Sequence, residues 1–482
     1  MTTRFDLTIR NATIVDGTGA TRFAGDIGIR GDRVVRVGQL AGDDEAAREI
    51  DARGLVAAPG FIDAHTHDDR MLLSDPTMTP KVSQGVTTVV TGNCGISLAC
   101  SPAHSASIPP LDLLDSDGQW FRFPDFRTYC AALADAPAAA NAACLIGHTT
   151  LRAATMDRLD RPATTAEIER MRGLAEQALA QGALGLSTGT AYAPAAQAST
   201  EELIAVCQPL ARTSGLYVTH MRNEDDAIVA AMDETFRIGD ELGIPVVISH
   251  HKCVGKANHG RSTETLALIE RTRARQSVGL DCYPYIASST VMQRHRAGQS
   301  NRVIVTWSKP HPELSGKDLV EAARALGVSE AEAIDRLQPA GAIYFMMDEA
   351  DVQRILAYPH TMIGSDGLPH DARPHPRLWG TFPRVLGHYA RDLNLFSLET
   401  AVHKMTGLTA ARFGLEDRGV LRAGAYADIT LFDPDVVIDA ASFEDPVRPA
   451  PGIHTVIVNG EPVWRQGAPT GARPGRVLKR RA

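Results

Sequence analysis

The chain has 482 residues, of which 44% are hydrophobic and 22% charged, with 41 Gly and 28 Pro. That is too rich in core-forming residues for a disordered polymer, and at roughly 100 to 200 residues per domain it suits one large domain with appendages or two to three smaller ones. With 57 acidic against 49 basic residues the net charge is -8, which excludes a general polyanion binder, nucleic acid included, while leaving room for small anions in a local basic pocket.

Residues 1–59 read as short β-segments (FDLTIRNATIVDG, DIGIRGDRVVRVGQL, EIDARGLVAAPG) with alternating apolar positions and Gly or Asp turns. Between residues 60 and 417, β-branched runs alternate with Ala-, Leu- and Glu-rich helical stretches. Eight candidate strands end near His65, Cys94, His148, Ser187, His220, His250, Tyr283 and Asp366. Eight βα units predict a closed (β/α)8 TIM barrel. No GxGxxG opens a helix after any of these strands, which disfavours an open doubly wound sheet. The interval 287–341, between strands seven and eight, is too long for a simple connection and is expected to fold over the barrel mouth as a lid. Residues 418–482 return to the β texture of the start (ADITLFDP, IHTVIVNGEPVW), so the two chain ends are expected to build one small β-sandwich domain together. The Lys-Arg-Arg run at 479–481 reads as a solvated tail.

Seven scattered cysteines do not resemble a secreted disulfide framework, and a reduced cytoplasmic setting fits them. The opening MTTRFDLTIR lacks a basic stretch followed by an apolar one, so no secretory signal is expected. Residues 82–111 and 177–200 carry no Asp, Glu, Lys or Arg, but both are laced with Gly, Ser, Thr and other polar residues, and no membrane span is expected.

In a barrel the C-terminal strand ends converge on one face, so distant polar residues meet there. His65 and His67 share parity if the first strand stays regular, giving an HxH chelating spacing. His220 and His250 end strands five and six. His250 is preferred to His251 because it shares parity with Val246 and Ile248. Cys94 closes strand two in TGNCG, where a thiolate beside histidines is a strong zinc ligand. The other cysteines, at 100, 130, 144, 207, 253 and 282, lack such neighbours and read as structural. Asp366, in IGSDG, is placed to serve as the base that metal-assisted hydrolysis requires, taking a proton from water and delivering it to the departing amine. GxSxG is absent at any strand-to-helix elbow, which argues against a serine hydrolase.

PGFIDAHTH, His220, His250, Asp366 and the ending RGVLRAGAYADITLFDP together resemble the amidohydrolase superfamily. Strand four ends in ALGLSTGTAY and offers no bridging lysine. VTGNCGIS, STGTAYAP, THMRNE, SHHK and GSDGLPHDARPHPR are instead similar to the D-aminoacylase branch, the N-acyl-D-amino-acid deacylases. The resemblance implies a firmly held zinc on Cys94, His220 and His250, and a second, weaker metal position at His65, His67 and Asp366. It implies that Lys252, Tyr283 and Arg377 hold the substrate α-carboxylate, with Ser289 assisting. Arg296, with Arg294 as a nearby competitor, matches the position that meets a side-chain carboxylate in the D-glutamate-preferring members. Hydrolysis of a small-molecule N-acyl-D-amino acid, N-acyl-D-glutamate first, is the expected function. A broad D-aminoacylase for apolar side chains, a hydantoinase-like cyclic amidase and a metal-free scaffold are the rival readings.

Overall fold

The computed structural model describes residues 4–41, 44–101 and 108–479; Arg480 and Arg481 of the basic tail lie outside them. Eight parallel strands form the barrel wall. In order they are Phe61–Asp63, Val86–Thr91, Asn141–Cys144 continuing as Ile146–Gly147, Gly185–Gly189, Leu216–His220, Val246–Ile248, Val278–Cys282 and Thr361–Ile363. Every residue in these strands is buried, because helices cover the outside and side chains fill the inside, and this is why the strands read as continuous β-branched and apolar runs such as VTTVVT. The wall closes between the eighth and first strands through Ala64 N donating to Ile363 O (3.1 Å) and a parallel bridge between Thr66 and Gly367.

Local signals place the helices. Thr164 and Glu167 form a reciprocal capping box at the start of Thr165–Ala180, and Ser199 accepts from Glu202 N at the start of Thr200–Thr213. The helix Ile228–Leu242 stops at Gly243, whose φ of 63° is the left-handed turn that glycine tolerates.

Both chain ends contribute to a second sheet, nine-stranded among the described residues. Val56–Pro59 from the N-terminal part pairs antiparallel with Ile429–Phe432 from the C-terminal part. Phe61 ties this sheet to the barrel, stacking on Phe382 (5.8 Å between centroids) and tilting against Phe432 (6.2 Å). One terminal segment differs from the sequence expectation. Val477–Leu478 leaves the small sheet and adds in parallel to Asn141–Cys144 of the barrel. Toward strand three, the fourth strand pairs with Ile146–Gly147, its upper part, so the lower part would otherwise present an open edge.

The interval after strand seven folds as a three-stranded antiparallel sheet of Ala287–Val291, Arg302–Ser308 and Ala340–Phe345, so its last strand runs four residues past the expected limit. No helix among the described residues is long and apolar enough to cross a membrane.

Candidate metal centre

Apart from His220, the last residue of its strand, the donors are delivered by bent backbone beyond the strand ends rather than by regular pleats. The first strand ends at Asp63, so His65 and His67 lie in the turn beyond it, with ring centroids 5.6 Å apart. The sixth ends at Ile248, and His250 follows with φ 35°. Cys94 has φ 53° and Asp366 φ 49°. Left-handed conformations at non-glycine residues cost free energy and persist where surrounding contacts over-determine them. Around Cys94 those contacts are visible. Gly92 and Gly95 turn the chain with positive φ, and Ser187 Oγ from strand four accepts from Gly95 N (3.0 Å) while donating to Gly92 O.

Cys94 Sγ is the meeting point of two donor groups. His65 Nε2 stands 3.3 Å from it, His250 Nε2 3.4 Å and His220 Nδ1 3.7 Å. On the other side Asp366 Oδ1 lies 3.2 Å from His67 Nε2 and 3.5 Å from His65 Nε2. The ligand atoms of His65, His67, Cys94 and Asp366 all fall within 4.8 Å of one another, as do those of Cys94, His220 and His250. Sulfur, imidazole nitrogen and carboxylate oxygen converging in a buried site form a donor set that fits zinc. His251 turns away, its Nε2 2.9 Å from Thr265 Oγ1, and burial lowers its pKa to about 4. His148, at the end of strand three, pairs with Glu202 instead (3.2 Å). The six other cysteines are buried and free.

Acidic and basic groups that the sequence reading did not single out surround this cluster. Glu224 Oε1 is 3.1 Å from His250 Nδ1, and its Oε2 is 3.6 Å from His220 Nε2. Asp281 Oδ1 accepts from His250 N (2.9 Å) and faces His65 Nδ1 at 3.5 Å. Each carboxylate thus faces the ring nitrogen pointing away from the cluster, the place from which an acid orients a metal-binding imidazole. Asp63 Oδ1 accepts from His65 N (3.3 Å) and Ser365 N (2.8 Å). A signal for Asp63 was present, since it shares parity with His65. For Glu224 the cue was weaker, an acid on the turn that follows the strand-end His220, and for Asp281, inside strand seven, there was none.

Electrostatics favour the charged donors. Burial pushes the Cys94 thiol up, but His65 and His250, with hydrogen bonds from His220 and His250, outweigh it and hold the thiol well below its ordinary range. For Asp366 burial is likewise opposed, and Arg377, His67 and His65 keep the carboxyl well below the usual carboxylate range.

Above the cluster lies a small pocket lined among others by Lys252, Ser289, Arg296 and Tyr192. Lys252 Nζ donates to Glu224 Oε1 (2.6 Å) and lies 2.8 Å from His250 Nδ1. Arg296 faces the pocket, whereas Arg294 is exposed and paired with Asp335. Tyr283 and Arg377 stand one layer behind. Arg377 is fully buried, its Nη1 2.9 Å from Asp366 Oδ2 and its Nη2 donating to Ser289 O (3.0 Å), and its guanidinium lies 4.6 Å from the Tyr283 ring centroid. Arg377 therefore reaches the pocket through Asp366 and Ser289, and Tyr283 packs against Arg377 from behind.

The pattern of the amidohydrolase family matches residues 48–328 and 294–464. The chain belongs to the amidohydrolase family. It is 61% identical to a D-aminoacylase of Alcaligenes xylosoxydans xylosoxydans, over 99% of this chain and 98% of that one. It is 55% identical to an N-acyl-D-aspartate deacylase of the same organism, over 98% and 95% of the two chains. It also superposes, with a TM-score of 0.95 and 46% identity over 99% of this chain and 100% of the other, on a crystal structure of N-acyl-D-glutamate deacylase from Bordetella bronchiseptica complexed with zinc and a phosphonate inhibitor, a mimic of the tetrahedral intermediate of the reaction.

Proposed function

We propose that this amidohydrolase cleaves the amide bond of N-acyl-D-amino acids, N-acyl-D-glutamate first, releasing the free D-amino acid and a carboxylate. Cys94, His220 and His250 would hold one zinc firmly, and His65, His67 and Asp366 a second more weakly. When bound, zinc supplies Lewis acidity, which polarises an amide carbonyl and makes water a competent nucleophile at neutral pH. Asp366 Oδ1 takes the proton from the attacking water and returns it to the amine nitrogen, so that the poor leaving group departs neutral. Arg377 fixes the other oxygen, Oδ2, and keeps the carboxylate ionised and ready to accept. Lys252 and Ser289 on the pocket wall receive the substrate α-carboxylate, with Arg377 and Tyr283 supporting them from behind.

The observation that carries the glutamate reading is the state of Arg296. It is 9% exposed, it lines the pocket, and its side chain donates to the neutral Gln293 Oε1 (3.0 Å) with no ion pair among the described residues. A guanidinium withdrawn from water without a carboxylate is costly unless an anionic ligand completes it, and its planar fork suits a second carboxylate.

The higher identity to the D-aminoacylase favours a second reading, broad hydrolysis of N-acyl-D-amino acids with apolar side chains. Arg296→Met separates the two. The glutamate reading expects kcat/KM for N-acetyl-D-glutamate to fall by about 2 to 5 kcal/mol of transition-state stabilisation while turnover of N-acetyl-D-methionine persists. Undiminished turnover of N-acetyl-D-glutamate would establish the broad reading instead, and hydrolysis of N-acetyl-L-glutamate at an equal rate would remove the D-specificity.

A further inference from the structure

The seam where the barrel closes carries a buried cation with no part in the proposed reaction. Lys81 is fully buried. Its Nζ donates to Asp63 Oδ2 (2.8 Å) and Ser365 Oγ (2.8 Å) and lies 3.3 Å from Asp68 Oδ2. Each of these partners is a chain neighbour of a donor in the cluster. Asp63 precedes His65 by two residues, Asp68 directly follows His67, and Ser365 directly precedes Asp366.

Asp366 is where such support matters. Its φ of 49° is a conformation that only its surroundings can maintain. On one side Ser365 N donates to Asp63 Oδ1 (2.8 Å), and on the other Gly367 N donates to Ser365 Oγ (3.2 Å), the same hydroxyl that accepts from Lys81. Asp366 N itself donates to His65 O (2.8 Å). One ammonium therefore ties together the three short arms that bear His65, His67 and Asp366. Cys94, His220 and His250 are carried by strands two, five and six, and their nearest supporting contacts come from Ser187, Glu224 and Asp281, the last of which also faces His65 Nδ1, whereas none comes from Lys81 among the described residues.

We propose that Lys81 is a positioning residue which, through Asp63 and Ser365, locks the first and eighth strands in register and so sets His65, His67 and Asp366 as a unit, leaving the Cys94, His220 and His250 group untouched. The inference rests on the reading of the cluster as a zinc centre.

The test is zinc titration of protein stripped by a chelator, followed by kinetics on N-acetyl-D-glutamate. Ser365→Ala removes the shared hydroxyl but leaves the Lys81–Asp63 pair, Ser365→Thr restores a hydroxyl, and Lys81→Met removes the cation. The expected result for Ser365→Ala is a first zinc equivalent bound within about twofold of wild type and a second weakened about 10- to 100-fold, the range typical of residues that orient metal ligands. With it, kcat falls about tenfold or more while KM stays within about twofold, and Ser365→Thr recovers both properties. Lys81→Met, where it folds, shifts the same quantities further. Unchanged second-equivalent affinity and kcat in Ser365→Ala, or an equal weakening of both equivalents, would overturn the proposal. A wild-type protein that takes up no zinc would instead overturn the hydrolase reading, and this inference with it.

Discussion

Glu224 and Lys252 form a buried ion pair, Oε1 to Nζ 2.6 Å, on the wall between the candidate metal centre and the pocket. The same carboxylate addresses His250 Nδ1 and His220 Nε2, the ring nitrogens opposite those facing Cys94. A single acid thus orients two imidazoles and steadies the cation expected to meet the substrate. Burial raises the Glu224 pKa, but Lys252, His220 and His250 outweigh it and keep the group ionised.

Glu224→Gln keeps the shape of that wall but removes its charge. The expected outcome is a 10- to 100-fold loss of zinc affinity, roughly the effect of removing a partner of metal-ligating histidines. Competition against a chromogenic chelator measures it, and affinity equal to wild type would show that the histidines need no such partner.

Cys94→Ser replaces the sulfur common to both donor groups with a hydroxyl that stays protonated. Zinc retained after dialysis should drop from a stoichiometric amount to a trace, and activity should not return on adding the metal, while the far-ultraviolet circular dichroism stays that of wild type. Metal analysis of the dialysed protein decides the matter; full zinc content in the serine variant would remove position 94 from the centre.

Gly95 adjoins Cys94 where the chain passes close to strand four. A Cβ added there would sit 2.7 Å from Gly189 N and 2.9 Å from Thr149 Oγ1, at a φ of 77°. Gly95→Ala is expected to cost about 1 to 3 kcal/mol from backbone strain alone and to displace the sulfur. A lowered thermal midpoint together with weakened zinc binding checks this, and an unshifted midpoint would show that the turn has room to relax.

Glu202 gives a pH dependence through an acid outside the metal cluster. Burial would raise its pKa, yet His148 and Arg152 bring it down to about 2. A folded-state pKa below the unfolded value near 4.5 contributes stability that is present above pH 4.5 and lost as the pH falls toward 2. Glu202→Gln leaves the buried Arg152 without its acid, at a cost of about 3 to 5 kcal/mol at neutral pH. The urea midpoints of wild type and variant should therefore differ widely at pH 7 and converge as the pH drops below 4.5. A gap that stays constant down to pH 3 would contradict the assignment.

Much of the fold was legible because its causes are local. Runs such as VTTVVT and LYVTH are too apolar and β-branched for anything but fully covered strands, and eight of them separated by helical stretches specify a closed wall. The pairing of Val56–Pro59 with Ile429–Phe432 followed from two chain ends of the same β texture. The departure of Val477–Leu478 to the barrel did not, since it depends on an edge left open by strands far away in the chain. In the site, His220 was readable as the last residue of a regular strand. His65, His67 and His250 were selected by parity, but the strands stop at Asp63 and Ile248, and turns bring these rings to the cluster. Glu224 offered only its closeness to His220, Asp281 sat unmarked inside a strand, and Lys81 was hidden because nothing in TPKVSQG distinguishes a lysine at zero exposure from one in solvent.

The amino-acid sequence determined which donors exist and that each falls just past a strand end, because side-chain chemistry and strand formation depend on residues within a few positions. Only the closed barrel decided which donor atoms meet. It set Cys94 Sγ among three imidazoles, turned His251 toward Thr265, withdrew Arg377 behind Asp366 and sealed Lys81 in the seam. These are distances between segments up to about 300 residues apart along the chain, and they are fixed by strand register and by the penalty on leaving any buried charge without its partner.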